Sequence, residues 1–326
     1  MDVRLDALER WLAAKLPGSA FTLAPASEDA SFRRYFRASL ADGRSFIAMD
    51  APPDKEDCRP FVHVARLLRE AQLNAPEIRA QDLAQGFLLL SDLGKTTYLA
   101  ALDEHNADAL FRDAIDALVR WQLATRAGEL PAYDAALLRR EMALFPEWYL
   151  GRHLGLSPSA AQQAALDDAF RRLAASALAQ PAVYVHRDYM PRNLMLCEPN
   201  PGVLDFQDAV IGPISYDIAS LLRDAFISWE EARVIDWCAR YWDAAKRARL
   251  PVDADFAEFY RGFEWMGLQR HLKVLGIFAR LTYRDGKAKY LADTPRFLGY
   301  ARAVAGRYAA LAPLARLLDQ LGENPQ

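Results

Sequence analysis

Three polar side chains in the middle of the chain have a spacing that suits phosphoryl transfer. Asp188 and Asn193 are five residues apart, and Asp205 follows twelve residues after Asn193. A carboxylate at the end of a loop can accept the proton of a hydroxyl group. An amide and a second carboxylate offer the hard oxygen ligands that Mg²⁺ prefers. We therefore predict that Asp188 is a general base and that Asn193 and Asp205 bind a metal ion that bridges phosphate groups.

The residues around these three side chains match a known catalytic pattern. Residues 186–193 are HRDYMPRN, which fits H-R-D-x-x-x-x-N, and residues 205–207 are DFQ where kinases have D-F-G. The alternative is that Asp188 and Asn193 cap turns and that Asp205 starts a loop. Because both strings occur within one short segment, the pattern favours an enzyme that uses ATP and Mg²⁺.

Short strands and one inserted helix are predicted before residue 91. Apolar residues at helical spacing predict a helix over 3–16, and a second helix is expected over 58–72. Short aromatic or β-branched runs predict five strands, at 21–25, 32–40, 45–51, 78–83 and 86–90. The turn at 41–44 joins two of these strands as a hairpin. The first 91 residues are therefore expected to form a mostly antiparallel sheet.

Long helices dominate the rest of the chain, after a candidate hinge at 91–95. Helical spacing predicts helices over 106–126, 135–151, 158–179, 215–248, 253–281 and 294–321. Three strand-like runs interrupt them, at 182–186, 194–197 and 202–206, and these runs flank the three polar residues. We predict an α+β protein with a β-rich, nucleotide-binding N-lobe (1–91) and an α-rich C-lobe (92–326) with a short β insert.

Composition narrows the class of protein. The 326 residues carry a formal net charge of −3, with a pI near 6.0, so nothing favours nucleic acid as a partner. No apolar run reaches the 18 residues of a membrane span, and the N-terminus lacks a signal-peptide core. The three cysteines form no CxxC pair, which is typical of reduced thiols. We expect a cytoplasmic monomer that does not act at a membrane.

The strings around the candidate site resemble a known superfamily. VHRDYMPRNLM at 185–195 and GVLDFQDAVIGPISYDIASLLRD at 202–224 are similar to the aminoglycoside phosphotransferase and choline kinase superfamily. They are more similar still to the anomeric sugar kinases that phosphorylate N-acetylmuramate and N-acetylglucosamine at C1 in bacterial cell-wall recycling. The resemblance covers nearly the whole chain and is sharpest over 185–224. It implies a protein-kinase-like fold, ATP, Mg²⁺ and a small sugar substrate.

The resemblance also implies roles for single residues. Asp188 would be the base, Asn193 and Asp205 would bind the metal, and Asp217 would be a buried acid that braces the catalytic loop. His186 is expected to shape that loop. Only eleven residues separate Asp205 from Asp217, which is too few for an activation segment that binds a polypeptide. A small substrate is therefore the simpler expectation.

The N-lobe departs from the pattern where the nucleotide phosphates should bind. Met49 occupies the place of the usual lysine, and the turn over 27–31 has no glycine. Ser31, Arg33 and Arg34 are the candidate replacements, because arginine can grip phosphate oxygens bidentately. A solvated strand face is the alternative for these arginines.

The hinge segment over 89–93 is the candidate adenine site. In this segment, Leu90 and Asp92 are expected to offer backbone groups to the base. Apolar side chains there suit a nucleotide pocket and a packed core equally well.

The acceptor is expected to lie against the C-terminal helices. Residues 261–316 contain eleven Lys or Arg and three Asp or Glu, which suits an anionic or neutral acceptor better than a cation. Candidate contacts are Glu264, Gln269, Arg270 and His271, together with Asp208 near the metal site. A buried structural network is the alternative for the first four, and a turn cap is the alternative for Asp208.

Two other functions stay open at this point. The chain could phosphorylate another small acceptor of the same superfamily, such as an aminoglycoside, choline, homoserine or a macrolide. It could also be an inactive ATP-binding pseudokinase, which the missing lysine favours. The presence of Asp188, Asn193 and Asp205 argues against the second alternative, because a binding module has no evident need for all three.

Overall fold

The computed structural model describes residues 2–27 and 32–321, and these form two compact units. The first unit contains the described residues up to Ala124 and also the segment 192–208. The second unit contains residues 125–191 and the chain from Ala209 onward. The candidate residue Ser31 lies outside the described residues.

Backbone hydrogen bonds attach the segment 192–208 to the first unit. The Leu196 N–H donates to the Thr96 carbonyl over 2.9 Å, and the Val203 N–H donates to the Asn74 carbonyl over 2.8 Å. Besides the residues of the N-lobe predicted over 1–91, the first unit thus contains this segment, and it also contains the helices up to Ala124.

The described residues form nine strands. Their bounds are β1 Phe21–Ser27, β2 Arg34–Leu40, β3 Ser45–Asp50, β4 Ile78–Asp82, β5 Phe87–Ser91, β6 Ala182–Val185, β7 Leu194–Met195, β8 Gly202–Val203 and β9 Val210–Pro213. The first five form one antiparallel sheet in the order β1-β2-β3-β5-β4. The others form two short antiparallel pairs, β6 with β9 and β7 with β8.

Eleven α-helices complete the described secondary structure, with shorter helical segments between them. Their bounds are α1 Val3–Lys15, α2 Arg59–Glu70, α3 Tyr98–Ala101, α4 Ala107–Leu123, α5 Ala135–Leu144, α6 Ala160–Ala179, α7 Tyr216–Leu222, α8 Glu231–Arg247, α9 Phe256–Tyr283, α10 Thr294–Arg307 and α11 Ala312–Gln320. A π-helix over Phe145–His153 continues α5, and 3₁₀ turns occur at Pro191–Asn193, Ala288–Asp293 and Ala309–Leu311.

Helix α1 covers one face of the five-stranded sheet. The Asp2 side chain accepts hydrogen bonds from the backbone N–H groups of Arg4 and Leu5, which caps the first turn. The apolar stripe of the helix then packs against the sheet. The buried members of this core are Leu8, Trp11, Leu12, Ala48, Phe87 and Leu89.

Three long helices predicted from the sequence are interrupted in the structure. The helix predicted over 215–248 breaks between α7 and α8, because the Asp224 carboxylate accepts the N–H groups of Phe226 and Ile227 and forms a turn. The helix predicted over 135–151 widens at Pro146, which cannot donate an intrahelical hydrogen bond. The helix predicted over 294–321 ends at Arg307 and restarts as α11, with a proline in its first turn.

Helix α9 is the central element of the second unit. It is 28 residues long and is buried along much of its length. Gly276 lets it approach the end of α5 closely, since a Cβ there would lie 2.4 Å from the Leu144 carbonyl carbon. In the described part of the chain, no helix is both long and apolar enough to cross a membrane.

Asp50 at the end of β3 is a fully buried carboxylate in the first unit. The Arg4 Nε donates to it over 2.9 Å, and the Arg34 Nε donates over 3.0 Å. Both arginines are only partly exposed, so the acid ties α1 and β2 to β3 with charge-assisted hydrogen bonds.

We expect Asp50→Asn to lower the free energy of unfolding by about 2 kcal/mol, because it removes the charge from hydrogen bonds to two arginines. Urea denaturation followed by circular dichroism measures the change. Asp54→Asn is the control, because Asp54 is 74% exposed and pairs only loosely with Lys55. Equal midpoints for the two variants would contradict this role of Asp50.

Candidate active site

The β7–β8 hairpin places two candidate metal ligands side by side in the first unit. Leu194 pairs with Val203, and the Leu204 N–H donates to the Asn193 carbonyl over 2.9 Å. Asn193 and Asp205 therefore flank the open end of the hairpin, where Asn193 Nδ2 lies 3.4 Å from Asp205 Oδ2. The amide and carboxylate oxygens of this pair are hard donors of the kind that Mg²⁺ binds.

The backbone at Asp205 has an unusual conformation. Its φ is +60°, in the left-handed region that residues other than glycine rarely adopt. The Gln207 Nε2 donates to Asp205 Oδ1 over 2.9 Å and holds the carboxylate. Such conformations persist where the surroundings enforce them, which is common at functional sites.

Arg33 brings a positive charge to this pair of ligands. Its side chain is 11% exposed. Burial alone would lower the pKa of the Arg33 guanidinium, but the charges of Tyr35, Asp205, Glu56 and Asp208 raise it above its ordinary value. The exposed Asp208 thus belongs to the same electrostatic environment as Asp205.

The two arginines of β2 are engaged elsewhere. Arg34 pairs with Asp2 and Asp50, whereas Arg37 donates to Asp92 over 2.6 Å. The Ser45 hydroxyl also donates to Asp92, over 2.7 Å, so this carboxylate braces the start of the predicted hinge. The charge of Asp205 acts on Arg33, whereas Asp2 and Asp50 act on Arg34 and Asp92 acts on Arg37.

The two remaining apolar positions of the predicted nucleotide region are buried. Met49, at the position where a lysine was expected, has no solvent exposure, and Leu90 on β5 is 2% exposed. These side chains belong to the core of the first unit, so only backbone groups of this segment remain as candidates for adenine.

In the second unit, Asp217 holds the segment that carries Asp188. Asp217 is fully buried, and its two oxygens accept the N–H groups of His186 over 2.6 Å and of Arg187 over 3.0 Å. His186 Nδ1 in turn accepts the Asp188 N–H over 3.2 Å. Arg187 has a φ of +77°, so the chain turns sharply just before the half-buried Asp188.

Burial dominates the electrostatics of Asp217. It raises the pKa of this carboxyl group to about 7, although the N–H groups of His186 and Arg187 and the charge of Arg270 act in the opposite direction. The charge of Asp188 raises the pKa of Asp217 further. Such an effect on Asp217 is expected from a neighbouring carboxylate.

A buried ionic network anchors the Arg187 side chain. Glu141 on α5 accepts hydrogen bonds from Arg187 over 2.6 Å and from Tyr133, and it lies 3.0 Å from the ammonium group of Lys273 on α9. Burial would raise the pKa of Glu141, but the charges of Lys273 and Arg187 and the Tyr133 bond lower it to about 2. The only signal in the sequence was a charged residue on the apolar face of each helix.

The four predicted acceptor contacts on α9 have different surroundings. Glu264 is hydrogen bonded by Arg307 and Tyr308, and Gln269 donates to the Tyr133 hydroxyl over 3.2 Å. The two ring nitrogens of His271, the Gln269 oxygen, and the Nε and Nη1 atoms of Arg270 are buried without a hydrogen-bond partner among the described residues.

Comparison with known proteins gives the family. A sequence model described as the phosphotransferase enzyme family matches residues 22–254. The chain belongs to this phosphotransferase family. Its catalytic-loop pattern lies inside the matched region, in agreement with the resemblance drawn from residues 185–224.

Curated relatives of this phosphotransferase match it over nearly their full length. A protein of Pseudomonas putida is 54% identical, with 98% of this chain and 97% of that protein covered. A protein of Neisseria meningitidis is 52% identical, with coverages of 96% and 95%. Both are named N-acetylmuramate/N-acetylglucosamine kinase.

Solved structures confirm the predicted α+β fold of the protein-kinase-like class. An ADP-bound aminoglycoside phosphotransferase, APH(2'')-Ib, superposes with a TM-score of 0.61 at 13% identity, covering 92% of this phosphotransferase and 98% of that chain. A choline/ethanolamine kinase family protein from Mesorhizobium loti gives 0.63 at 14% identity, with coverages of 96% and 100%.

We expect Glu141→Gln to lower the free energy of unfolding at pH 7 by roughly 3 kcal/mol, because two buried cations lose their counter-charge. The pKa of Glu141 in the folded protein, about 2, lies below its ordinary value of 4.5. Its charge therefore stabilises the fold above pH 4.5, and this contribution is lost as the pH falls towards 2.

Denaturant midpoints measured between pH 7 and pH 3 test this expectation. The gap between wild type and Glu141→Gln should narrow as the pH falls. Asp243→Asn is the control, because Asp243 forms an exposed pair with Arg247 one helical turn away. A gap that is constant with pH, or as small as that of the control, would contradict the proposed charge of Glu141.

Proposed function

We propose that this protein transfers the γ-phosphoryl group of ATP to the anomeric C1 hydroxyl of N-acetylmuramate, N-acetylglucosamine or both, as part of peptidoglycan recycling in the cytoplasm. The observation that carries the proposal is the identity of 52–54% with relatives that bear these substrates in their names. The presence of Asp188, Asn193 and Asp205 supports it, because each has the residue type that phosphoryl transfer requires.

In the proposed reaction, the Asp188 carboxylate accepts the proton of the sugar hydroxyl. The sugar oxygen forms a bond to the γ-phosphorus, the bond from that phosphorus to the β–γ bridging oxygen breaks, and ADP leaves. The anomeric hydroxyl is more acidic than an ordinary alcohol, which eases the demand on the base. His186 and Asp217 hold the backbone on either side of Arg187, so Asp188 is presented from a fixed loop.

Asn193 and Asp205 are the proposed ligands for Mg²⁺. The bound ion would neutralise charge on the phosphates. Arg33 is the proposed substitute for the missing lysine, because it is the arginine whose charge acts on Asp205 and Asp208. The chain near Leu90 and Asp92 is proposed to hold the adenine through its backbone, in a nucleotide-binding lobe that ends at residue 91.

The proposal includes the partners as well. ATP and a small sugar are the expected ligands, and the enzyme is proposed to act as a monomer without nucleic acid. The net charge of −3 gives no reason to expect a polyanionic partner.

Phosphorus NMR of the protein with Mg-ATP and each sugar in turn tests the function. A new sugar phosphate signal coupled to the anomeric proton is expected, and excess EDTA should abolish its growth. Phosphorylation of choline or an aminoglycoside instead would move the protein to another acceptor of the superfamily. Thermal stabilisation by ATP without any ADP release would indicate a pseudokinase and overturn the proposal.

We expect Asp188→Asn to lower turnover by about 10²–10⁴-fold, because the amide cannot accept the hydroxyl proton. The unfolding midpoint should stay near that of wild type, since Asp188 is only half-buried. Rates of ADP release at saturating sugar measure the loss. Asp236→Asn, which alters an exposed pair with Arg240, is the matched control. Turnover within twofold of that control would exclude Asp188 as the base.

A further inference from the structure

A second polar cluster lies in the second unit and has no part in the mechanism above. It contains Asp224 after α7, Arg270 and His271 on α9, and Tyr300 on α10. Asp224, Arg270 and His271 are 2%, 4% and 0% exposed. The His271 ring packs 5.1 Å from the Tyr300 ring, centroid to centroid. Buried polar groups of this kind are expected to have hydrogen-bond partners.

The Arg270 guanidinium has acidic neighbours that balance its charge, but two of its nitrogen atoms have no hydrogen-bond acceptor among the described residues. Its charge lowers the pKa values of Asp217 and Asp224, in each case against the larger effect of burial. It also lies 5.4 Å from the centroid of the Tyr216 ring. Yet its Nε and Nη1 atoms are buried and have no acceptor among the described residues. A buried donor without an acceptor destabilises the folded state, and more so when it is charged.

Asp224 lacks a hydrogen-bond donor for one of its oxygens, just as Arg270 lacks acceptors. Its Oδ1 accepts the N–H groups of Phe226 over 2.7 Å and of Ile227 over 3.2 Å. Its Oδ2 is buried and has no donor within the described chain. The cluster therefore holds unused donors on Arg270 and an unused acceptor on Asp224.

Neighbouring charges in the same unit do have partners. Arg223 donates to Glu231 over 2.7 Å, and Arg307 donates to Glu264 and lies 2.9 Å from Glu231. These two arginines and two glutamates balance each other in charge. These four residues form a structural network. Arg270 and Asp224 differ from them, because some of their buried hydrogen-bonding atoms have no partner among the described residues.

We propose that Arg270 and Asp224 bind the acceptor sugar, with Asp224 Oδ2 accepting from a sugar hydroxyl and Arg270 donating to an oxygen of a sugar substituent. This inference rests on the proposed function and adds to it the residues that recognise the sugar. The substituent oxygen belongs either to the acetamido carbonyl, which both sugars carry, or to the lactyl carboxylate, which only N-acetylmuramate carries. A guanidinium suits both, because its planar set of donors fits a carbonyl or a carboxylate.

Four variants test the proposal. Arg270→Gln removes charge and donors, whereas Arg270→Lys keeps the charge opposite Asp217 and Asp224 but loses the planar fork. Asp224→Asn keeps an oxygen for the turn at Phe226 and replaces the unused acceptor by a donor. Arg261→Gln is the control, because Arg261 is an exposed residue of the same helix that pairs with Glu258.

The measurements are kcat and KM for each sugar, from ADP release, together with the unfolding temperature. We expect Arg270→Gln and Asp224→Asn to lower kcat/KM by about 10–100-fold, chiefly through KM. Compared with Arg270→Gln, Arg270→Lys should bring the unfolding temperature back towards that of wild type, but it should not bring KM back. For both Arg270 variants, a loss confined to N-acetylmuramate would identify the lactyl carboxylate, and an equal loss with both sugars would identify the acetamido group.

Other outcomes would overturn the inference. If Arg270→Gln keeps the KM values of the control for both sugars, or if Arg270→Lys restores all activity together with stability, Arg270 only balances buried acids. Wild-type protein that phosphorylates neither sugar would instead overturn the proposed function. The two failures are therefore distinguished by the activity of the wild type.

Discussion

The Asp217 carboxylate, which accepts two consecutive backbone N–H groups, is the interaction on which the arrangement of the catalytic loop depends. The N–H groups of His186 and Arg187 both point to this carboxylate, and Arg187 itself has a left-handed backbone conformation. That conformation is unfavourable for arginine and persists only where partners enforce it. A single buried side chain therefore holds the backbone that leads into Asp188.

The side chain of Arg187 extends this constraint to the helices of the second unit. Through Glu141 it connects α5 with Lys273 on α9, and all three charges are largely removed from water. A buried ion network is weak evidence for stability, because desolvation offsets much of the attraction. Its value here is geometric. The fixed directions of these hydrogen bonds link the loop to the same helix that carries Arg270, so the proposed base and the proposed sugar contacts share one support.

The sequence predicted the features that depend on local patterns. Most strands and long helices followed from apolar spacing, although α3 and β9 did not, and the candidate catalytic loop followed from a string of eight residues. The break after Asp224 escaped prediction because a side-chain turn overrides helical spacing there. The Glu141–Lys273 contact escaped because its partners are far apart in the chain and each looks like an ordinary helix charge. Contacts of this kind require the packing of three elements, which periodicity does not encode.

The sequence also did not decide whether Arg33 or Arg34 is the better candidate for the phosphates, because that too depends on packing. Neighbouring side chains of an extended segment point to opposite faces, so Arg33 and Arg34 meet different partners. Arg34 pairs with the buried carboxylate of Asp50. Arg33 instead lies in the field of the Asp205 and Asp208 charges. The buried Met49 cannot supply a cation, and a guanidinium remains charged where burial would neutralise an ammonium group. A guanidinium just before β2, in place of an ammonium group on β3, is thus physically consistent with the proposed phosphate site.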